Sequence, residues 1–229
     1  MPVYQPSDMR VTQQSAAATH TADCVIFGFA EGDLRVLLVR RAIAPFAGYW
    51  VLPGGAMGAG ENLDATARRV MSELVGVRDL YLRQIGTYSD PDRHPVRRVV
   101  TTSYYALVRP EHHAPTARDY LTEARWFSIP DVPELGFDHS RLLTDAHARL
   151  TLHLRTRPLA FDLLPARFTL SEVHRLYQEI LGETLDRRNF RRKLLSYPFL
   201  IETNQKRQGV KGGPLLYRID RAALDRELA

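Results

Sequence analysis

Residues 54–77 read GGAMGAGENLDATARRVMSELVGV. Gly54, Gly55, Gly58 and Gly60 crowd its opening, a composition suited to a tight loop. Asn62 or Asp64 stands where a helix N-cap belongs. Behind them Ala67, Val70, Met71 and Leu74 recur at i, i+3, i+4 and i+7, the apolar stripe of a helix with one buried face. The stretch is a glycine loop feeding a helix, and the flanking segments should supply the sheet on which that stripe packs.

Working outward, residues 21–29 and 34–40 are apolar and β-branched, separated by Glu31-Gly32-Asp33, which predicts a hairpin. Residues 42–55, rich in Pro, Gly and aromatic side chains, read as a loop. Downstream, residues 80–88, 98–108 and 123–129 read as strands. Ser89-Asp90-Pro91-Asp92-Arg93-His94-Pro95, with two prolines, joins the first two as a surface loop. A helix is expected over 137–156, capped by Asp138 or Ser140 and stopped at Arg157-Pro158.

A second set of elements begins near Phe161. Thr169-Leu170-Ser171-Glu172 fits a capping box. The helix behind it carries Leu170, Val173, Leu176, Tyr177 and Ile180 on one face and ends at Gly182. Asp186 caps a second helix, 187–195, followed by strand-like residues 199–203 and 214–219 with a basic, glycine-rich tip between them. Helix, turn, helix and basic hairpin is the order of a winged helix-turn-helix. The expected division is a lead-in over 1–20, one domain over 21–157 and a winged helix over 158–229.

Charge divides the same way. The 229 residues carry a formal net charge of +5, and from Pro165 onward there are 13 Lys/Arg against 8 Asp/Glu, so the whole excess lies in the last 65 residues. A neutral domain followed by a basic one places a polyanion against the second. On helix 187–195, Phe190 and Leu194 share the face that should pack inward. Arg188, Asn189 and Arg192 point away, with the reach to read base edges. Arg187, Arg191 and Lys193 on the helix, and Lys206, Arg207 and Lys211 on the hairpin, suit phosphates. A solvated basic face is the bland alternative; the helix-turn-helix context favours double-stranded DNA.

No apolar run is long enough to span a membrane, and the first 20 residues lack the basic start and apolar core of a signal peptide. The one cysteine, Cys24, lies in the apolar run Cys24-Val25-Ile26-Phe27 and reads as a core residue; a reducing, cytoplasmic setting is expected.

Gly55, Glu61, Arg69, Glu73 and Gly76 also stand at the spacing of G-x5-E-x7-R-E-U-x-E-E-x-G-U, and the stretch resembles the Nudix box. The resemblance extends upstream through Arg40-Arg41-Ala42 and residues 45–55, and downstream through Glu123-Ala124-Arg125-Trp126-Phe127. With residues 185–191 and 216–218 added, nearly the whole chain resembles the Nudix-related transcriptional regulators, both the NrtR type, which sense ADP-ribose, and the arabinose-responsive type. The fold this implies is α+β: a Nudix fold, with its mixed sheet sandwiched by helices, followed by a winged helix-turn-helix.

The resemblance also implies roles. Glu61 and Arg69 brace the loop against the helix. Val70 and Leu74 stand where two of the family's three metal-binding carboxylates belong. Glu73 alone remains, so no cofactor is required and Mg2+ is expected only together with a phosphate-bearing ligand. A pocket that senses rather than cuts follows, with an active pyrophosphatase carrying a nucleic-acid module as the alternative. Arg41, Arg69, Arg93 and Arg98 are candidate anion contacts and Phe46 and Trp50 candidate stacking surfaces for an effector. ADP-ribose and a pentose such as arabinose both remain open. The partners implied are a palindromic DNA operator and a second copy of the chain.

Overall fold

The hairpin is built from β1 (Thr19–Ala30) and β2 (Asp33–Arg41). It closes in two residues, Glu31 and Gly32, with φ of 57° and 90°. Positive φ at both central positions matches the strands' right-handed twist. In this computed structural model the described residues are 17–76, 82–112, 115, 117, 120–156, 160–208 and 213–228. Residues 1–16, which make up most of the expected lead-in, lie outside them. Thr19 and His20 belong to β1 rather than to a lead-in, because they pair in parallel with Val99 and Val100.

Further strands are β3 (Trp50–Val51), β4 (Gly54–Ala56), β5 (Leu82–Tyr88), β6 (Val99–Val108) and β7 (Leu121–Ser128). Among the described residues they form with β1 and β2 a central seven-stranded mixed sheet, in the order β3-β2-β1-β6-β5. β1 and β6 are parallel; β4 pairs with β1, and β7 with β2, both antiparallel. Residues 42–55 are thus not all loop: β3 lies inside them and β4 begins at Gly54, and strands of two and three residues are too short to show an alternation.

Both faces of the sheet are covered, which is why consecutive residues of β1, β2 and β6 are buried. Ala22, Cys24, Ile26, Leu37, Val39, Tyr104 and Ala106 face one way, onto α1 (Leu63–Val75) through Ala67, Val70 and Met71. The Cys24 thiol is fully buried there, and burial raises its pKa far above the usual range. Asn62, not Asp64, caps α1 by accepting the Ala65 amide. Asp64 instead accepts the Tyr104 hydroxyl at 2.5 Å.

The opposite face, with Val25, Phe27, Val36, Leu38, Tyr105 and Leu107, packs on α2 (His139–Thr156). The same apolar cluster continues without interruption into the winged helix, through Phe161, Leu163, Leu164, Phe168, Val173, Leu176, Ile180 and Phe199. The expected stop at Arg157-Pro158 lies outside the described residues.

α3 (Leu170–Leu181) begins at the predicted capping box and ends at Gly182, φ 65°. All five of its predicted inward residues are buried. α4 (Arg187–Leu195) has the predicted limits, its Asp186 cap accepting the Asn189 amide. Leu194 is buried and the Phe190 ring packs edge-on against Tyr177 and His174. β8 (Leu200–Lys206) and β9 (Leu215–Ile219) form the hairpin. A final helix, α5 (Arg221–Leu228), was not expected; Asp220 opens it, accepting the Leu224 amide at its carbonyl and the Ala223 amide at its carboxylate.

Candidate ligand cleft and nucleic-acid interface

The sheet splits at one end. β1 pairs with β2 only over Phe27–Ala30, then with β4 over Thr21–Asp23; β2 continues with β3 at Val39–Arg40. Where the two strands part, a cleft of about 280 Å³ opens. Thr21 and Asp23 of β1, Arg41 of β2 and Gly54, Gly55 and Ala56 of β4 wall it. His94 and Arg97 from the 89–98 loop, Tyr120, Phe137 and His139 complete it.

Aromatic rings line the cleft at Phe137. This residue has φ +60° and stacks on His94 at 5.3 Å and 25°. Behind it lies Phe46 at 4.6 Å. Arg41 donates to the Pro45 carbonyl at 2.9 Å, and its guanidinium lies over the rings of Phe137 and Tyr120 at 5.2 and 5.6 Å. Burial is the largest influence lowering the Arg41 pKa; Tyr120 opposes it and the nearby charge of Arg97 adds to it. His94 Nδ1 accepts the amides of Val96 and Arg97, which folds the loop so that Arg97 meets the cleft. Burial first, then Arg97, Arg41 and Arg93, hold the His94 pKa below its usual value.

Arg93 is different. Its side chain is 4% exposed and donates to both carboxylate oxygens of Asp138, at 3.0 and 2.7 Å, and to Asp23 at 3.4 Å. Two carboxylates already match its charge. His139 Nδ1 accepts the Leu52 amide at 2.9 Å, and its Nε2 faces Asp23 at 3.9 Å. The Nδ1 acceptor role requires a neutral ring, and burial lowers the His139 pKa accordingly, with Asp23 and Asp138 opposing.

The expected anion contacts are therefore divided. Arg41 and Arg93 line the cleft, and Phe46 supports it from behind. Arg98 does not line it: its guanidinium is turned to the Ser89 carbonyl at 2.6 Å. Trp50 packs on Phe127 and Arg125, away from the lining. Arg69 forms the expected brace instead of facing a ligand, donating to Glu61 at 2.8 Å and to the Ala56 carbonyl at 2.9 Å. Glu61 also accepts the Gly58 amide and the Thr66 hydroxyl. The Arg69 hydrogen bond and then the Gly58 amide hold the Glu61 pKa down at about 2. Sequence reading missed Arg97, Tyr120, Phe137 and Thr21. Thr21 Oγ1 has no hydrogen-bond partner among the described residues.

A resident metal does not fit these residues. Among the described residues no group of three His, Cys, Asp or Glu side chains is placed to hold a metal ion; Asp23 and Asp138 are instead taken up by Arg93. Glu73 is about half exposed and pairs with Arg69 at 3.6 Å. Val70 is 3% exposed, in the core beneath Gly55.

The second feature is the outer face of α4. Arg187, Arg188, Asn189, Arg191, Arg192 and Lys193 are all exposed. Arg192 donates to the Asn189 side-chain oxygen at 3.0 Å, so the two present one amide–guanidinium pair. Lys206 is exposed on β8. Arg207, expected to meet a phosphate from the hairpin, donates to both carboxylate oxygens of Glu172 in the α3 capping box. Lys211 lies outside the described residues.

Two family models match the chain: the NUDIX domain over residues 19–146 and the NrtR DNA-binding winged helix domain over residues 160–219. The ADPR responsive transcriptional repressor NtrR of Acinetobacter baylyi is 33% identical over 202 residues, which covers 86% of this chain and 80% of that one. Shewanella oneidensis NrtR in complex with a 27mer DNA matches the fold with a TM-score of 0.78 at 28% identity, over 90% of this chain and 95% of that one. The NUDIX domain of the same protein, complexed with ADP ribose, matches with a TM-score of 0.54 at 32% identity, over 64% and 94%. With a Nudix sheet and helices in front and a winged helix with an exposed basic face behind, the chain belongs to the NrtR family of NUDIX-domain transcriptional regulators.

Proposed function

We propose that the chain is a DNA-binding repressor whose Nudix cleft senses ADP-ribose. The observation that carries this reading is the pair Arg41 and Arg97, which meet the cleft with no ion-pair partner among the described residues. Two uncompensated guanidiniums beside aromatic rings suit a diphosphate joined to a base or sugar. A neutral pentose such as arabinose gains little there. Among the described residues Asp23 is the one carboxylate in the lining, and Arg93 already engages it. The relatives known to answer to or bind ADP-ribose support the same choice.

The cleft binds without efficient turnover, because Val70 is sealed in the core and Glu73 is engaged by Arg69. Catalysis needs metal and water held in position, and these residues do not hold them. The winged helix reads an operator through Arg188, Asn189 and Arg192, and two copies of the chain read its two halves. ADP-ribose favours an arrangement that fits the operator less well, so DNA is released.

The test is anisotropy titration of a duplex enriched from a random pool on the immobilised protein, with and without ADP-ribose or arabinose. ADP-ribose is expected to weaken binding by at least about 5-fold, and arabinose to leave it unchanged. Equal affinity with and without ADP-ribose would refute the reading. In a parallel incubation with Mg2+, hydrolysis at about 10 per second, a median enzyme rate, would make the chain a hydrolase instead.

A further inference from the structure

Buried charge is concentrated at one place. Asp23, Arg93 and His139, each less than a tenth exposed, meet beneath the cleft, with Asp138 at the edge of the group. They come from β1, the 89–98 loop and the start of α2. Asp138 holds the N-cap position of α2, its carbonyl accepting the amides of Arg141 and Leu142 at 3.0 and 3.3 Å. Its carboxylate goes to Arg93. One residue on, the His139 ring takes the Leu52 amide, next to the glycines of β4. The first turn of α2 is therefore fastened to both segments that build the cleft: the loop carrying His94 and Arg97, and the β3–β4 stretch.

The far half of α2 is fastened to the winged helix. Thr151 donates to the Ile180 carbonyl at 3.2 Å. Arg155 makes two hydrogen bonds to Glu183. Leu150 and Leu154 are buried in the shared core. Between these attachments runs an unbroken helix of 18 residues, about 27 Å at 1.5 Å per residue.

We propose that the Asp23–Arg93–Asp138–His139 cluster is the transmission between the two sites, a proposal that rests on reading the cleft as an ADP-ribose site. An anion held by Arg41 and Arg97 displaces the loop that also carries Arg93. The two-pronged Arg93–Asp138 contact passes that displacement to the first turn of α2, and the helix delivers it to α3. Packed interfaces and cores are bistable and do not deform continuously, so a small shift at the cleft is passed on as a switch. DNA binding runs the same path in reverse with equal coupling.

The test uses the full chain, the selected duplex and saturating ADP-ribose, and reads the ratio of duplex Kd with and without ADP-ribose. Asp138→Asn breaks the cleft end, and Thr151→Val breaks the far end without touching either ligand. In both variants the ratio is expected to fall several-fold towards 1. A ratio within about twofold of the wild type in both, within the usual scatter of independent sites, overturns the proposal. A wild-type ratio near 1 overturns this proposal together with the function above, so it is measured first. Hydrogen exchange of the Leu52 amide in the unmutated chain needs no variant. Its protection is expected to change when ADP-ribose is added, and identical exchange in both states also overturns the proposal.

Discussion

Arg97 and Arg93 stand four residues apart on one loop and answer to different physics. Arg93 is already matched by Asp23 and Asp138, so removing it leaves two carboxylates under the cleft uncompensated. Breaking a buried pair in this way costs about 3–5 kcal/mol, and Arg93→Ala should unfold at a distinctly lower temperature. Arg97 is exposed, so Arg97→Ala should melt like the wild type. It should bind ADP-ribose at least about 10-fold more weakly by calorimetry, since a hydrogen bond to a charged group is worth about 1.5–3 kcal/mol. Unchanged affinity in that variant would remove Arg97 from the site. The sequence showed that this loop is rich in arginine but not which arginine is free. That depends on where β6 begins. Arg97 shares its parity with Val99 and Thr101, and Thr101 is registered beside Thr21 on the cleft face. The pairing across 80 residues that settles this leaves no local trace.

At the scale of elements, α1 to α4 were legible, whereas α5 and the short strands were not. α3 carries both its boundaries in its caps, Thr169 and Gly182, and α4 carries its start in Asp186, so local chemistry fixes those ends. β3 and β4 exist only because the split edges of β1 and β2 need partners, which no local pattern announces. Likewise, no local pattern shows that the fold brings Arg207 to Glu172, 35 residues away in sequence. For α4 the expectation is specific. Arg188→Ala with Arg192→Ala should weaken the selected duplex by at least about 10-fold, each base-reading contact being worth about 1–3 kcal/mol, and should flatten its sequence preference. Lys193→Ala should weaken all duplexes alike and lower the salt slope by about 1. A double mutant that still discriminates its duplex from random DNA would show that reading occurs elsewhere.

For the molecule as a whole, acid should destabilise earlier than carboxylate titration alone would predict. His94, His139 and His147 all have pKa values held below 6.5, burial being the largest cause in each. The unfolded chain therefore takes up protons first. The stability these rings contribute is fully present above about pH 6.5 and is lost as pH falls through their lower folded values. Glu61, held at about 2 against an ordinary 4.5, extends the loss into the range between those values. Calorimetry should give a lower Tm at pH 5.5 than at pH 7.5, and a flat or rising Tm over that interval would contradict the assignment. The apolar cluster that runs unbroken from Phe27 through α2 to Phe199 has a different consequence. It makes the DNA-binding half a poor cassette for transplantation. Cut away at residue 160, that half would turn Leu163, Val173 and Ile180 to solvent. A chimera that borrows its operator specificity must therefore carry α2 and a matching sheet face along with it.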